Sequence, residues 1–422
     1  MQEKLTKYTH STFSSLKIRN YRLYFIGQGI SRAGTWVQTI AQTWLIFQLT
    51  GSGTYIGLLT AVQFIPILVL GPLGGLVADR FPKLRLLYMT QIASMVLAFA
   101  MAALVLSGIV QVWMVFVVAI LLGLVKVVDT PTRQTFIMEM VGREHIVNAV
   151  TLNSIEVNMA RIIGPAIGGG VIASIGIGYC FLIDGVSYLA VVLCQLLMRR
   201  NELQAAAPVA KSRGQLAEGF RYVWHTPVLR NVLLMMVVVG TLAYEFPVVL
   251  PIFASETFHD GASGYALLMG AMGLGAVIGG MVTANRKNPT PHVITLSAFG
   301  FGLSLLLTAA SPHIIIAALM MVIVGVGSIS FTSVANSTLQ LESTPAMRGR
   351  VMALWTMAFL GSTPVGGPII GYVSEHYSAR VGLLMGGMSA ICAGLFGLRI
   401  HIKQKRARRV ALVTESIEED KY

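Results

Sequence analysis

The chain carries twelve long, mainly apolar stretches, and their length limits what it can fold into. Crossing the hydrocarbon core of a bilayer takes about 20 such residues as an α-helix. Stretches of this kind lie near 23–49, 55–78, 86–107, 111–130, 149–174, 179–198, 229–255, 262–284, 292–310, 313–334, 350–373 and 381–400. They are too long and too continuous for barrel strands, which alternate apolar and polar residues. In lipid every backbone N–H and C=O must be satisfied within the chain, and a helix does this turn by turn. The pattern predicts an all-α membrane protein with twelve transmembrane helices. Only 12% of the 422 residues are charged, about half the usual share of a soluble domain.

The net charge of +13 could suggest a nucleic-acid partner, so the position of the charge decides. Of the 31 Lys and Arg residues, 27 fall before the first stretch, in alternate loops, after the last stretch, or within two residues of the stretch ends that face those segments. They include Arg80, Lys83, Arg85, Arg133, Arg143, Arg199, Arg200, Lys211, Arg213, Arg286, Lys287, Arg348 and Arg350. Arg380 alone falls in a loop of the other set; Arg32, Lys126 and Arg161 lie within the stretches. This bias predicts a bacterial inner (cytoplasmic) membrane protein with both termini in the cytoplasm. Anionic membrane lipids are then the partners of the bases, and no nucleic acid is expected.

Residues 1–22 read as a basic cytoplasmic lead-in, with no apolar core and cleavage site of a signal peptide. Residues 199–227 read as a cytoplasmic linker, and 401–422 as a cytoplasmic tail. Within the linker, Leu216, Phe220, Tyr222, Val223 and Trp224 predict a short amphipathic helix on the membrane surface. The linker separates 23–198 and 228–400 into two six-helix bundles. These look related: Gly164-Pro165-Ala166-Ile167-Gly168 precedes Gly367-Pro368-Ile369-Ile370-Gly371 by 203 positions, and 75–80 has a worn counterpart at 280–286. Parallel halves of this kind place a site near the membrane midplane between them.

Two segments carry the most information. In Gly71-Pro72-Leu73-Gly74-Gly75-Leu76-Val77-Ala78-Asp79-Arg80-Phe81-Pro82-Lys83-Leu84-Arg85, glycines allow close helix packing before a sharp charged turn. In Arg161-Ile162-Ile163-Gly164-Pro165-Ala166-Ile167-Gly168-Gly169-Gly170, Pro165 removes a backbone hydrogen bond amid small residues. The first segment resembles the signature loop between helices 2 and 3 of the major facilitator superfamily, through Gly75, Asp79, Arg80, Lys83 and Arg85. Pro82 stands where that family often has Gly. The second resembles the helix-5 motif of the superfamily's antiporters, through Gly164, Pro165, Gly168 and Gly169. Asn20-Tyr21-Arg22, Asp129-Thr130-Pro131-Thr132-Arg133-Gln134 at the close of the fourth stretch, and Asn148-Ala149-Val150-Thr151 are similar to the branch holding the enterobactin exporter and related secretion and drug-efflux proteins.

The resemblance implies the major facilitator fold, two pseudo-symmetric six-helix halves. It also implies a cytoplasmic gate from Asp79, Arg80, Lys83, Arg85, Asp129 and Arg133. In that gate Asp79 would lock the halves together against the region of Arg348 and Arg350. The second-half counterpart, Ala284-Asn285-Arg286, lacks the acid.

An ionisable residue near the middle of a membrane helix costs roughly 2.5–3.5 kcal/mol on insertion scales and so marks a polar cavity or a partner. Glu156, Glu245 and Asp184 are the expected proton-coupling acids. A carboxyl withdrawn from water holds its proton more readily, and a guanidinium beside it opposes this, so protonation can follow conformation. Gln28, Arg32, Gln38, Arg161, Tyr244 and Trp355 are the expected cavity residues, with Trp36, Phe246 and Phe359 as further aromatics. Arg32 and Arg161 would either pair with the acids or attract an anionic substrate. Lys126 and Asp129 would form a gate or surface pair.

The eight histidines fall at loops or helix ends, and Cys180, Cys194 and Cys392 lack metal-ligand spacing. No nucleotide loop or nucleophile constellation is visible, so no cofactor, metal or enzymatic activity is expected. The expectation is a secondary active transporter, a proton-coupled antiporter working as a monomer and exporting a small amphipathic molecule such as a siderophore, drug or metabolite. Small-molecule uptake and lipid handling are the alternatives.

Overall fold

The computed structural model describes residues 14–204, 215–284, 291–344 and 347–419, and every regular element among them is a helix. The twelve membrane helices are α1 (Arg19–Thr50), α2 (Gly53–Arg80), α3 (Lys83–Leu106), α4 (Val112–Gly142), α5 (Glu144–Ser174) and α6 (Ile177–Leu196) in the first half. The second half holds α7 (Pro227–Thr257), α8 (Ala262–Ala284), α9 (Pro291–Ala309), α10 (Ile314–Glu342), α11 (Arg348–His376) and α12 (Ala379–Glu419). Among the described residues, ten have the length and hydropathy to cross a membrane by themselves. The two others are α1, which carries Gln28, Arg32, Gln38 and Gln42, and α9, whose apolar stretch Val293–Ala309 is shorter.

Local chemistry sets the ends. Gly51 adopts a left-handed conformation (φ 63°) that only glycine takes without strain, and it closes α1. Ser52 then caps α2 by accepting from the N–H of Tyr55. Gly142 (φ 67°) separates α4 from α5. The segment 129–134 does not close the fourth helix as expected: α4 runs through Pro131 to Gly142, so Arg133 sits half-buried inside the first half rather than in a loop. A proline in a helix interior deletes one hydrogen bond, here the one to the carbonyl of Val127, and the helix continues through it. The last helix likewise continues past 400 to Glu419, through most of the expected tail. Lys4, Lys7, Lys211, Arg213, Arg286, Lys287 and Lys421 lie outside the described residues, as does Asn285 of the second-half counterpart.

Equivalent glycines make equivalent contacts in the two halves. A Cβ on Gly74 of α2 would run into the carbonyl of Val127 on α4, and one on Gly279 of α8 would meet the carbonyl of Val326 on α10. Gly164 of α5 abuts Trp36 on α1; on α11 it is Gly366, one position before the counterpart of Gly164, that abuts the carbonyl of Thr241 on α7. Such backbone-to-backbone packing lets small residues hold membrane helices together where apolar burial gives little drive. Breaks also recur in the second half: α7 is interrupted at Tyr244–Glu245, and α11 at Gly361–Ser362.

Arg80, Lys83, Arg85, Arg199 and Arg200 share one end of the bundle, termed the basic end. There Asn20 and Arg199 exchange two hydrogen bonds of 2.9 Å, and Ser15 N donates to Asn148 Oδ1 at 3.0 Å. The linker helix Gln215–His225 docks at the same end on the second half. Val223 is buried, Tyr222 Oη accepts from Thr344 N–H, and Glu218 pairs with Arg350 at 2.7 Å. Phe220 and Trp224 stack on its exposed side. The side chain of Leu216 lies outside the described residues.

Candidate functional site

A cavity of about 550 Å³ lies between the halves, lined from α1, α2 and α5 on one side and α7, α8, α10 and α11 on the other. A second, of about 600 Å³, shares Ala276 with it, adjoins it at Ser333 and Ser337, and takes in Thr151, Ser154 and Ile155 of α5 and Met281 of α8. The space between the halves therefore extends toward the basic end. At the opposite end the halves meet backbone to backbone. A Cβ on Gly57 of α2 would lie 2.6 Å from the carbonyl carbon of Gly367 on α11, and one on Gly53 would lie 2.8 Å from the Gly371 carbonyl oxygen. Gly169 of α5 similarly faces Ala266 of α8.

One carboxylate ties this closed end together. Glu375, in the last turn of α11, accepts from Ser52 Oγ at 2.6 Å, Thr54 N–H at 2.9 Å and Thr54 Oγ1 at 2.5 Å, all at the start of α2. A negative group at a helix N-terminus satisfies unpaired N–H groups and complements the helix dipole. The apolar stretches near 350–373 and 381–400 leave Glu375 in the loop between them. The signal that could have found it is the spacing Gly53-x-x-x-Gly57 facing Gly367-x-x-x-Gly371, just inside an acid on the side poor in charge. Arg380 holds the neighbouring helices at this end, donating to the carbonyls of Ala309 at 2.5 Å and Ser311 at 2.9 Å.

The expected cavity residues divide into two groups. Arg161, Tyr244 and Trp355 line the central cavity, together with Trp36, Phe246 and Phe359. Gln28 and Gln38 are instead buried within the first half, and Arg32 is turned toward α5. Arg32 donates to the Asn153 carbonyl at 3.1 Å and to Asn153 Oδ1 at 2.6 Å, and its Nε lies 3.5 Å from Glu156 Oε1. Arg161 has no carboxylate within 4.0 Å among the described residues. Its guanidinium sits 5.9 Å from the centre of the Trp36 ring, and its Nε has no hydrogen-bond partner.

The three acids are buried in three separate places. Glu156 is 7% exposed beside Arg32. Asp184 is fully buried on α6, next to Ser187 and within the electrostatic reach of Lys126. Glu245, 3% exposed, stands at the break in α7 and on the cavity wall. It is wedged against α11: its two carboxylate oxygens lie 3.0 and 3.6 Å from where Cβ atoms on Gly366 and Gly367 would be. The break frees α7 backbone groups next to a carboxyl, in a wall whose other side chains are apolar, aromatic and hydroxyl apart from Arg161 and Asn336.

The expected gate residues interact mainly within the first half. Asp129 pairs with Arg133 and accepts from Thr90 Oγ1 at 2.8 Å and Gln91 Nε2 at 2.9 Å. Its partner is thus Arg133, one turn on, rather than Lys126. Lys83 binds Glu139 of α4 at 2.6 Å. Asp79, Arg80 and Arg85 are exposed at the basic end. Arg350, expected near the partner of Asp79, is held by Glu218 of the linker helix. The antiporter-like motif on α5 uses two faces. Gly164 and Gly168 seat the helix on α1 within one half, while Gly169 touches the other half. Pro165 lies between them within α5. No group of three or more His, Cys, Asp or Glu residues able to hold a metal occurs among the described residues.

Comparisons with known proteins agree with this architecture. Residues 10–418 match the family described as transmembrane secretion effector. The Staphyloferrin A transporter of Staphylococcus aureus is 22% identical over 389 residues, covering 91% of this chain and 97% of that protein. The multidrug efflux pump Tap of Mycobacterium tuberculosis is 24% identical over 390 residues, covering 88% and 91%. The enterobactin exporter EntS of Shigella flexneri is 23% identical over 272 residues, 64% of each chain. Among solved structures, the nucleoside transporter NupG superposes with a TM-score of 0.72 at 15% identity, covering 91% of this chain and 99% of that one. A bacterial homologue of the lysosomal transporter Spinster gives 0.66 at 16%, covering 92% and 95%. These two share the fold. With two six-helix halves closed on a central cavity and a family match along nearly its whole length, the chain belongs to the transmembrane secretion effector family of the major facilitator superfamily, multi-pass membrane transporters rather than enzymes.

Proposed function

We propose that the chain is a proton-coupled antiporter that exports a small amphipathic molecule by alternating access. The observation that carries this reading is the cavity between the halves, closed at one end by Gly53, Gly57, Gly367, Gly371 and Glu375 and extending toward the basic end. The basic end faces the cytoplasm and its anionic lipids, by the bias of Lys and Arg, so this form is loaded from inside. Rocking of the halves that parts the α2–α11 and α5–α8 contacts exposes the same cavity to the other side. The cavity is built wholly within one chain, which supports action as a monomer.

Glu245 is the proton-coupling acid best placed to sense the cargo, since it alone of the three acids lies on the cavity wall. Glu156, beside Arg32, and Asp184, near Lys126, are buried where charge pairing changes if helices of the first half shift. Export is supported by the relatives named as an efflux pump and an exporter; siderophores and drugs are the cargo classes those names suggest. The test is efflux from proteoliposomes under an imposed pH gradient, using substrates identified by a susceptibility panel on a deletion strain. Gradient-driven efflux that is lost in Glu245→Gln, with substrate binding kept, is the expected result. Equal transport with and without the gradient, in the wild type, ends the antiport reading.

A further inference from the structure

Two arginines within the membrane stretches, Arg32 and Arg161, could meet an anionic cargo, and the structure separates them. Arg32 is satisfied: Asn153 takes two of its donors and Glu156 balances its charge. Arg161 is not. It lies on the cavity wall at the middle of α5, its Nε has no acceptor, and no carboxylate stands within 4.0 Å among the described residues. A guanidinium withdrawn from bulk water without a counter-charge is costly, and the cost is relieved by an anion that enters the cavity.

The other ionisable group of ordinary acidity on the wall cannot take that part. Glu245 is pressed between α7 and the Gly366–Gly367 backbone of α11 and is 3% exposed. A proton can reach it there, whereas an organic ammonium of any bulk cannot come alongside. Among the described residues, then, the cavity presents a bulky ligand with one positive charge and no accessible negative one. Around that charge the wall is aromatic. Trp36 lies against the guanidinium, and Trp355 and Phe359 stack nearly parallel, 13° apart. Flat rings of this kind favour a planar apolar body.

We infer that the cavity selects organic anions: Arg161 binds a carboxylate or similar acidic group, and the Trp36 and Trp355–Phe359 faces hold a planar apolar body. The inference rests on the transporter reading but adds the sign of the cargo. Arg161 is here a substrate-binding residue, and Trp36 positions it. The guanidinium fork suits a carboxylate with two parallel hydrogen bonds, which an ammonium in its place does not reproduce.

The experiment uses three probes with one body: 2-naphthoate, 2-naphthamide and 2-naphthylmethylammonium. Binding to the full chain in lipid nanodiscs is read by isothermal titration. The wild type should bind the carboxylate about 10- to 100-fold more tightly than the amide, the range expected of a charge-assisted hydrogen bond. Arg161→Gln should abolish that preference, and Arg161→Lys should restore part of it. The wild-type comparison needs no variant to fold. Equal affinities for carboxylate and amide, tighter binding of the ammonium, or no carboxylate binding at millimolar concentration each overturns the inference. Proteoliposome flux keeps the two proposals apart. Movement of the ammonium with the carboxylate ignored leaves a transporter and removes the anion site. Arg161-dependent carboxylate binding without flux of any substrate leaves the site and removes the transport reading.

Discussion

Substituting Gly57 tests whether backbone contact holds one end of the cavity shut. A Cβ there would lie 2.6 Å from the carbonyl carbon of Gly367 and 2.8 Å from Cα of Pro368. Ordinary carbon contacts sit near 3.5–4.0 Å, so α2 and α11 must part by about 1 Å. Both obstacles are backbone, and no flexible side chain can yield instead. Overpacking of this kind costs about 1–3 kcal/mol. In a form with α2 and α11 apart the new methyl meets nothing on α11, so the cost falls on the closed form alone. A differential of about 1–3 kcal/mol shifts a two-state equilibrium about 5- to 160-fold toward opening at that end. The assay replaces Cys180, Cys194 and Cys392 with Ala, introduces Thr60→Cys on the cavity wall one turn deeper, and measures labelling by a membrane-impermeant maleimide from each side. Gly57→Ala should speed labelling from the side opposite the basic end and slow it from the basic end. Unchanged rates from both sides, in protein that remains monodisperse, would refute the claim that this contact sets the equilibrium.

Three further outcomes follow from named contacts. Glu375→Ala removes the acceptor of two Ser and Thr hydroxyls and one N–H across the halves. Partly exposed, this cluster is worth about 1–2 kcal/mol after screening, so Thr60→Cys should label about 5- to 30-fold faster from the opposite side, with Glu375→Gln milder. Arg32→Gln leaves Glu156 without its counter-charge in a buried site; the carboxyl can then take up a proton, so the cost is that of an unpartnered buried polar group, about 1–3 kcal/mol. The melting temperature of Arg32→Gln should fall and should recover in the double variant with Glu156→Gln, as followed by thermal unfolding in detergent. Trp36→Leu removes the ring beside Arg161 and, at about 0.5–2 kcal/mol for a cation–ring contact, should weaken carboxylate binding about 2- to 30-fold in the titration above while leaving amide binding less affected.

Much of the site was visible as residue type but not as arrangement. Buried acids stand out in an apolar stretch because insertion costs are high, and Glu156, Asp184 and Glu245 were found that way. Their surroundings differ for reasons the linear order hides. Gln28, Arg32 and Thr35 share a helical face, yet that face is turned into the first half, where Asn153 and Glu156 wait on α5. Spacing pairs Asp129 with Lys126, but the helix continues past Pro131 and brings Arg133 round instead. Nothing in the linear order marks Glu375, since its partners Ser52 and Thr54 lie more than 300 positions away.

The sequence by itself determined the twelve helices, the bias of basic residues toward one end, and the relation between the halves. Each rests on a property local in the chain: apolar length, the run of charge along loops, and small residues at fixed spacing. Only the tertiary structure decided which arginine is neutralised and which is left facing the cavity, which acid reaches that cavity, and which end is shut. Ion pairing and close packing depend on helix rotation and on the identity of the neighbouring helix, and residues far apart in the chain supply both.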